Sequence, residues 1–211
     1  MSPGITEDKS VIAFFALFAA SIMVVSTIPI VAFSGGYGDY PVPSNADWII
    51  SENTSVWNEN IIVDGNITIQ SGATLFLMNV TLLVNSTTDG EFKIDVENGG
   101  ALRTNLTIIR PFYDAYRFKF EASGDVSLCN TAISHIWGND DSGGLRLYGN
   151  DPWLENLTIV GSGGPGIYTS SAYPHLTRIY ITNTTYGIYS EGSSPQTPFD
   201  DIHIINATSE A

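Results

Sequence analysis

Apolar and polar residues alternate in short runs along most of this chain, and the runs recur. Val80 and Leu82, Leu106 and Ile108, Leu157 and Ile159, Ile179 and Ile181, and Ile202 and Ile204 are each separated by one residue. Successive side chains of an extended backbone point to opposite sides, so each run predicts a strand with one buried face. Thr81, Thr107, Thr158, Tyr180 and His203 then take the outward positions. Thr131 interrupts the alternation in one run, where Ile133 keeps it. The runs belong to a longer phrase: Asn79-Val80-Thr81-Leu82, Asn105-Leu106-Thr107-Ile108, Asn130-Thr131-Ala132-Ile133 and Asn156-Leu157-Thr158-Ile159, spaced by 26, 25 and 26 residues. It continues without its Asn from Arg178 and Asp201, at spacings of 22 and 23.

A second phrase keeps step with the first. It reads Ile67-Thr68-Ile69, Phe92-Lys93-Ile94, Phe118-Lys119-Phe120, Leu145-Arg146-Leu147, Ile167-Tyr168-Thr169 and Ile188-Tyr189-Ser190, which places Lys93, Lys119 and Arg146 in one outward slot. Gly72-Ala73-Thr74-Leu75, Gly100-Ala101-Leu102 and Gly124-Asp125-Val126 mark a third element, and Pro152, Pro174 and Pro195 stand at the same corner later on. Gly and Pro mark turns because their backbone angles suit corners rather than strands. Each repeat therefore holds three short strands and no helical period. Repeats of this length cannot bury an apolar face alone and stack, each strand bonding to its copy one coil away at roughly 4.8 Å. The expected fold is all-β, a parallel solenoid of about six coils of 21–28 residues over positions 61–211. A two-sheet sandwich is the runner-up, but it gives no reason for three phrases to recur in step.

Two later copies, from Gly166-Ile167-Tyr168 to Asn183 and from Gly187-Ile188-Tyr189 to Asn206, share a coil near 22 residues and the pattern Leu-x-x-Ile-x-Ile-x-Asn or its relic. Over residues 61–211 the chain resembles the right-handed parallel β-helix repeats of the pectate-lyase-like superfamily. The resemblance implies right-handed winding and internal ladders of stacked Asn side chains. That superfamily includes pectin lyases and hydrolases, alginate epimerases, copper-enzyme maturation proteins, phage tailspikes and surface proteins. The motifs specify architecture and leave activity open.

Ahead of the repeats, residues 1–10 form a polar tail. Residues 11–33 are an apolar run long enough to span a bilayer as one N-terminal helix. Pro29 followed by Ala32-Phe33-Ser34 suits a cleaved signal peptide, while the length of the run suits a retained transmembrane anchor. Both place the body outside the cytoplasm, secreted or at the cell surface. Residues 34–47 read as a linker, and 48–60, with Trp48 and Trp57, as a cap over the first coil. The last copy ends near Ile205, so its edge is expected to pair with further repeats or another chain.

The formal net charge is -14, with 8 basic and 22 acidic residues. Such a surface disfavours nucleic acid, which needs basic patches. It is compatible with calcium, for which no specific motif stands out, and no cofactor is called for. Cys129 is the sole cysteine, which excludes an intramolecular disulfide and reads as a packed thiol. The spacing of His135, His175 and His203 shares no repeat position and indicates no metal triad.

Eight Asn-x-Ser/Thr sequons occur, at Asn53, Asn66, Asn79, Asn85, Asn105, Asn156, Asn183 and Asn206. The first six are glycosylation candidates in an exported protein. The competing account is that corner Asn residues take left-handed angles and stack. Asp140 and Asp141, in a Gly-rich loop beside Trp137, are the candidate catalytic pair, since carboxylates flanking a glycosidic bond serve as acid and base. The Gly-His-Gly and Arg-x-Lys phrases of the pectin hydrolases are absent, and a solvated turn is the favoured account of the pair. Trp137, Tyr168 and Tyr189 are candidate stacking platforms for sugar rings. The expected function is an extracellular or membrane-anchored surface protein with a structural, adhesive or glycan-binding role, its partners glycans or cell-envelope components. The alternative is a polysaccharide lyase, hydrolase or epimerase using Asp140 and Asp141.

Overall fold

The structure, a computed structural model, describes residues 35–139, 142–192 and 200–207. The apolar run 11–33 and the pair Asp140-Asp141 lie outside the described residues. Strand β1 (Gly35–Tyr37) leads in. The first coil holds β2 (Trp48–Ile50), β3 (Thr54–Trp57) and β4 (Asn60–Val63), and the second β5 (Ile67–Ile69), β6 (Thr74–Met78) and β7 (Thr81–Val84). The third holds β8 (Lys93–Val96) and β9 (Ala101–Pro111), and the fourth β10 (Lys119–Ala122) and β11 (Asp125–Ser134). A small hairpin, β12 (Gly138–Asn139) with β13 (Ser142–Gly143), intervenes. The remaining coils hold β14 (Leu145–Tyr148) and β15 (Trp153–Val160), β16 (Pro165–Ser170) and β17 (His175–Thr184), and β18 (Tyr186–Glu191) and β19 (Asp200–Ala207).

One sheet stacks β2, β5, β8, β10, β14, β16 and β18 in parallel. Six steps join these strands, so the described chain makes about six turns of a parallel β-solenoid. The second sheet is folded along a line of left-handed corners: Asn58, Asn79, Leu106, Asn130, Asn156, Arg178 and Asp201 all have φ between 47° and 58°. In the first two coils the corner separates β3 from β4 and β6 from β7; later it bends one long strand. The section is thus three-sided, as the three phrases predict.

The bore is filled by columns of like side chains. Ile61, Leu82, Ile109, Ile133, Ile159, Ile181 and Ile204 are consecutive register partners. The first six are at most 3% exposed, and Ile204, in the last coil, is 44% exposed. Truncating such a buried Ile to Ala costs about 2–5 kcal/mol, because the stacked neighbours cannot fully close the gap. Gly166 and Gly187 recur for a related reason. A Cβ on Gly166 would stand 2.5 Å from Ile181 Cγ2, and one on Gly187 would stand 2.4 Å from Ile204 Cδ1.

In the first sheet the register differs from the sequence alignment in two places. Ile67 pairs with Ile94, not Phe92, and Arg146 pairs with Glu121, not Lys119. The offset is two residues, which preserves the inward face and so leaves no trace in the apolar pattern. In the third coil the corner falls on Leu106 rather than Asn105. Thr107 consequently points inward and is fully buried, where alternation had set it outward. Its hydroxyl donates to the carbonyls of Leu77 (3.2 Å) and Asn105 (3.1 Å), which is what makes an inward Thr tolerable.

The segment 48–60, expected as a cap, carries parallel strands of the first coil. Part of the expected linker pairs with the edge of this coil. β1 pairs antiparallel with β3, and the indole of Trp48 donates to the carbonyl of Asp39 at 2.7 Å. The Asp39 carboxylate accepts the backbone N–H of Ser51 (2.6 Å) and Glu52 (3.0 Å). The Ser51 N–H above all holds the Asp39 pKa below its ordinary value.

Candidate functional site

The second sheet presents a row of outward side chains, one per coil: Phe76, Arg103, Ser127, Trp153 and His175 are successive register partners. Ser127 is small and stands between two large neighbours, and Cys129, two residues on, faces the same side. The result is a depression of about 480 Å³ lined by Arg103, Asp125, Ser127, Cys129, Asp151 and Trp153, with Leu102 and Val126. It crosses the third, fourth and fifth coils.

Trp153 is 47% exposed, and its position is fixed from two sides. Its ring stacks on His175 with centroids 5.0 Å apart and planes 28° apart. Its N–H donates to Glu155 Oε2 at 3.3 Å, and the other oxygen of Glu155 pairs with Arg178. Arg103, Asp125 and Asp151 are exposed and join no ion pair among the described residues. The groove therefore offers an aromatic plate, a guanidinium donor and two carboxylate acceptors, which together can stack on and hydrogen-bond a polyhydroxylated ring. Sequence reasoning missed it. The available signal was the outward slot of the third phrase, in which a small Ser follows Arg and precedes Trp.

The aromatic residues singled out from the sequence are placed differently. Tyr168 and Tyr189 do meet, stacked with centroids 5.8 Å apart and planes 11° apart. Tyr168 is only 7% exposed, its hydroxyl donates to Glu191, and the Arg146 guanidinium lies 5.0 Å from its ring. The Glu191 hydrogen bond raises the Tyr168 pKa above that of a free phenol. These contacts account for the pair as outward-face packing. Trp137 is half-buried, with the Lys119 ammonium 5.0 Å from its ring centroid. The depression beside it measures about 10 Å³, room for at most a water.

The sequons divide by backbone position. Asn79 and Asn156 stand at left-handed corners and donate their side-chain amides to Asn58 and Asn130, both at 2.8 Å. Asn105 accepts from Asn130 at 2.8 Å. Asn183 and Asn206 form a second column, with an amide contact of 3.4 Å. Asn85 donates to Asp64 at 2.6 Å and Asn66 to Asp47 at 3.0 Å. Asn53 is exposed, and its carbonyl oxygen accepts from the Thr74 N–H at 3.0 Å. The amide nitrogen that would carry a sugar is thus engaged at Asn66, Asn79, Asn85, Asn156 and Asn206.

Of the histidines, His175 backs Trp153 and His203 meets Asp201 at 2.8 Å. Among the described residues no group of three or more His, Cys, Asp or Glu stands close enough to hold a metal ion. No helix among them is long and apolar enough to cross a membrane. No family model matches this chain, nor does any curated protein or solved structure.

Proposed function

We propose that this protein is an extracellular or membrane-anchored β-helix surface protein that binds glycans along the lateral groove. The observation that carries the reading is the exposed Trp153 ring, braced by His175 and Glu155, beside Arg103, Asp125 and Asp151. Sugar-binding sites combine such an aromatic face with a few convergent polar groups. The stack of parallel coils carries Arg103, Asp125, Ser127 and Trp153 on strands, which suits adhesion to an extended polymer. Right-handed winding, kinship with the pectate-lyase-like superfamily and attachment through residues 11–33 belong to the same proposal. The test is affinity electrophoresis on a panel of cell-envelope polysaccharides. The reading expects retardation by at least one polymer, abolished by Trp153→Ala. Retardation by none, or an unchanged pattern in the variant, contradicts it.

A second reading, a polysaccharide lyase, hydrolase or epimerase, draws on Asp125 and Asp151 beside Arg103 in the same groove. Two carboxylates flanking a sugar can serve as acid and base, and a guanidinium can stabilise developing negative charge. Incubation of the bound polymer with the protein decides between the two. Shortened chains, lost in Asp125→Asn, favour the enzyme; unchanged polymer length favours the binding protein.

A further inference from the structure

We infer that the groove selects glycans without negative charge and takes amino-sugar polymers best. The inference rests on the glycan-binding reading above and narrows it to a chemical class. Asp125 and Asp151 are exposed, line one depression and join no ion pair among the described residues. They hold matched places on adjacent coils, because Ser127 and Trp153, each two residues further on, are register partners. Arg103 is the single cation lining the depression. Glu155, next along the wall, is already paired with Arg178.

Charges closer than a Debye length, about 8 Å in physiological salt, act on a ligand with little screening. A polyuronate lying along the coils would bring one carboxylate per sugar against two fixed carboxylates, with one guanidinium to offset them. Like charges juxtaposed at a binding surface suppress that partner. The formal charge of -14 opposes its approach as well. A polymer of amino sugars reverses the sign of each contact: its ammonium groups meet Asp125 and Asp151, its hydroxyls accept from Arg103, and its ring face lies on Trp153. A neutral polymer keeps the last two contacts and loses the first.

The experiment is isothermal titration calorimetry of the full chain with three oligomers of one linkage and length: β-1,4-glucosamine, β-1,4-glucose and β-1,4-glucuronate. Mildly acidic buffer keeps the sugar amine protonated. Glucosamine is expected to bind about tenfold tighter than glucose, and glucuronate about tenfold weaker. In the double variant Asp125→Asn, Asp151→Asn the three affinities converge. Glucuronate binding as tightly as glucose, or an order unchanged in the double variant, overturns the charge selection. If that binding is still lost in Trp153→Ala, the glycan-binding groove stands without the preference. No binding of any oligomer, with polymer retardation also absent, removes the groove reading and this inference together.

Discussion

The side-chain amide of Asn130 donates to the carboxamide oxygen of Asn105 at 2.8 Å, although the two residues do not share a corner position. Asn130 sits at the left-handed corner of its coil with φ 47°, while in the coil before it that place belongs to Leu106, with φ 53°. Asn105, one residue earlier, supplies the carboxamide instead. A branched side chain at such angles costs about 1–2 kcal/mol, and Asn tolerates them. Leu106→Asn is therefore expected to stabilise the fold by about 1 kcal/mol. Asn130→Leu should destabilise it by about 2–3 kcal/mol, adding corner strain to the loss of the bonds to Asn105 and from Asn156. Urea midpoints measure both; destabilisation by Leu106→Asn would contradict the account of the corner.

Inside the bore, Thr104 and Thr131 share a hydrogen bond of 2.7 Å, and both are at most 3% exposed. Leaving one buried hydroxyl without its partner costs about 1–3 kcal/mol, whereas replacing both with apolar groups of like shape is nearly neutral. Thr131 also donates to the carbonyl of Cys129 at 2.8 Å, so Thr131→Val alone should be the costlier single change. The double variant Thr104→Val, Thr131→Val should recover part of that loss. Additive costs in the double-mutant cycle would show that the pair is not coupled.

The fold was legible because inward residues repeat, and its misreadings came where repetition is blind. A shift of two residues keeps every inward residue inward, so the pairing of Arg146 with Glu121 rather than Lys119 was invisible to the apolar pattern. The outward corner at Leu106 was hidden because Leu106-Thr107-Ile108 also reads as an alternating strand. Only the neighbouring coils, Asn79 and Asn130, show that the inward residue there is Thr107. The groove was illegible for a different reason. It is a property of side-chain size across three coils, Arg103, Ser127 and Trp153, and no single coil carries it.

His135 supplies a pH dependence. It occupies a left-handed corner with φ 56°, in line with Gly161 of the next coil, and its Nδ1 is buried without a partner. Burial pushes its pKa below the ordinary 6.5; Arg117 and Arg110 push the same way, and Asp114 opposes. The unfolded chain therefore takes up this proton first as pH falls. Stability from neutral His135 is complete above the ordinary histidine value, declines as pH drops through it, and levels off below the folded value. His135→Asn keeps the corner and removes the titration. Urea midpoints between about pH 7 and pH 5 should fall less in the variant than in the parent. Equal slopes would contradict the assignment.

Gly166 tests how tightly one coil receives the next. A Cβ there meets Ile181 Cγ2 at 2.5 Å and the Gly187 carbonyl oxygen at 2.8 Å. Gly166→Ala should cost about 1–3 kcal/mol through overpacking. Gly187→Ala should cost less, because Ile204 is 44% exposed and can move outward. Thermal unfolding of the two variants compares them directly, and a larger loss for Gly187→Ala would count against the stacking described.

The central claim is that successive coils lie directly on one another in the stated register. Paired cysteines on the outward face of the first sheet test it, in a Cys129→Ser background. Neighbouring strands stand about 4.8 Å apart, within the Cα separations that a disulfide spans, and an offset of two residues exceeds them. Mild oxidation followed by mass spectrometry should show a disulfide in the variant Glu121→Cys, Arg146→Cys and none in the variant Lys119→Cys, Arg146→Cys. Efficient bonding in the second variant, or in neither, would contradict the solenoid as described.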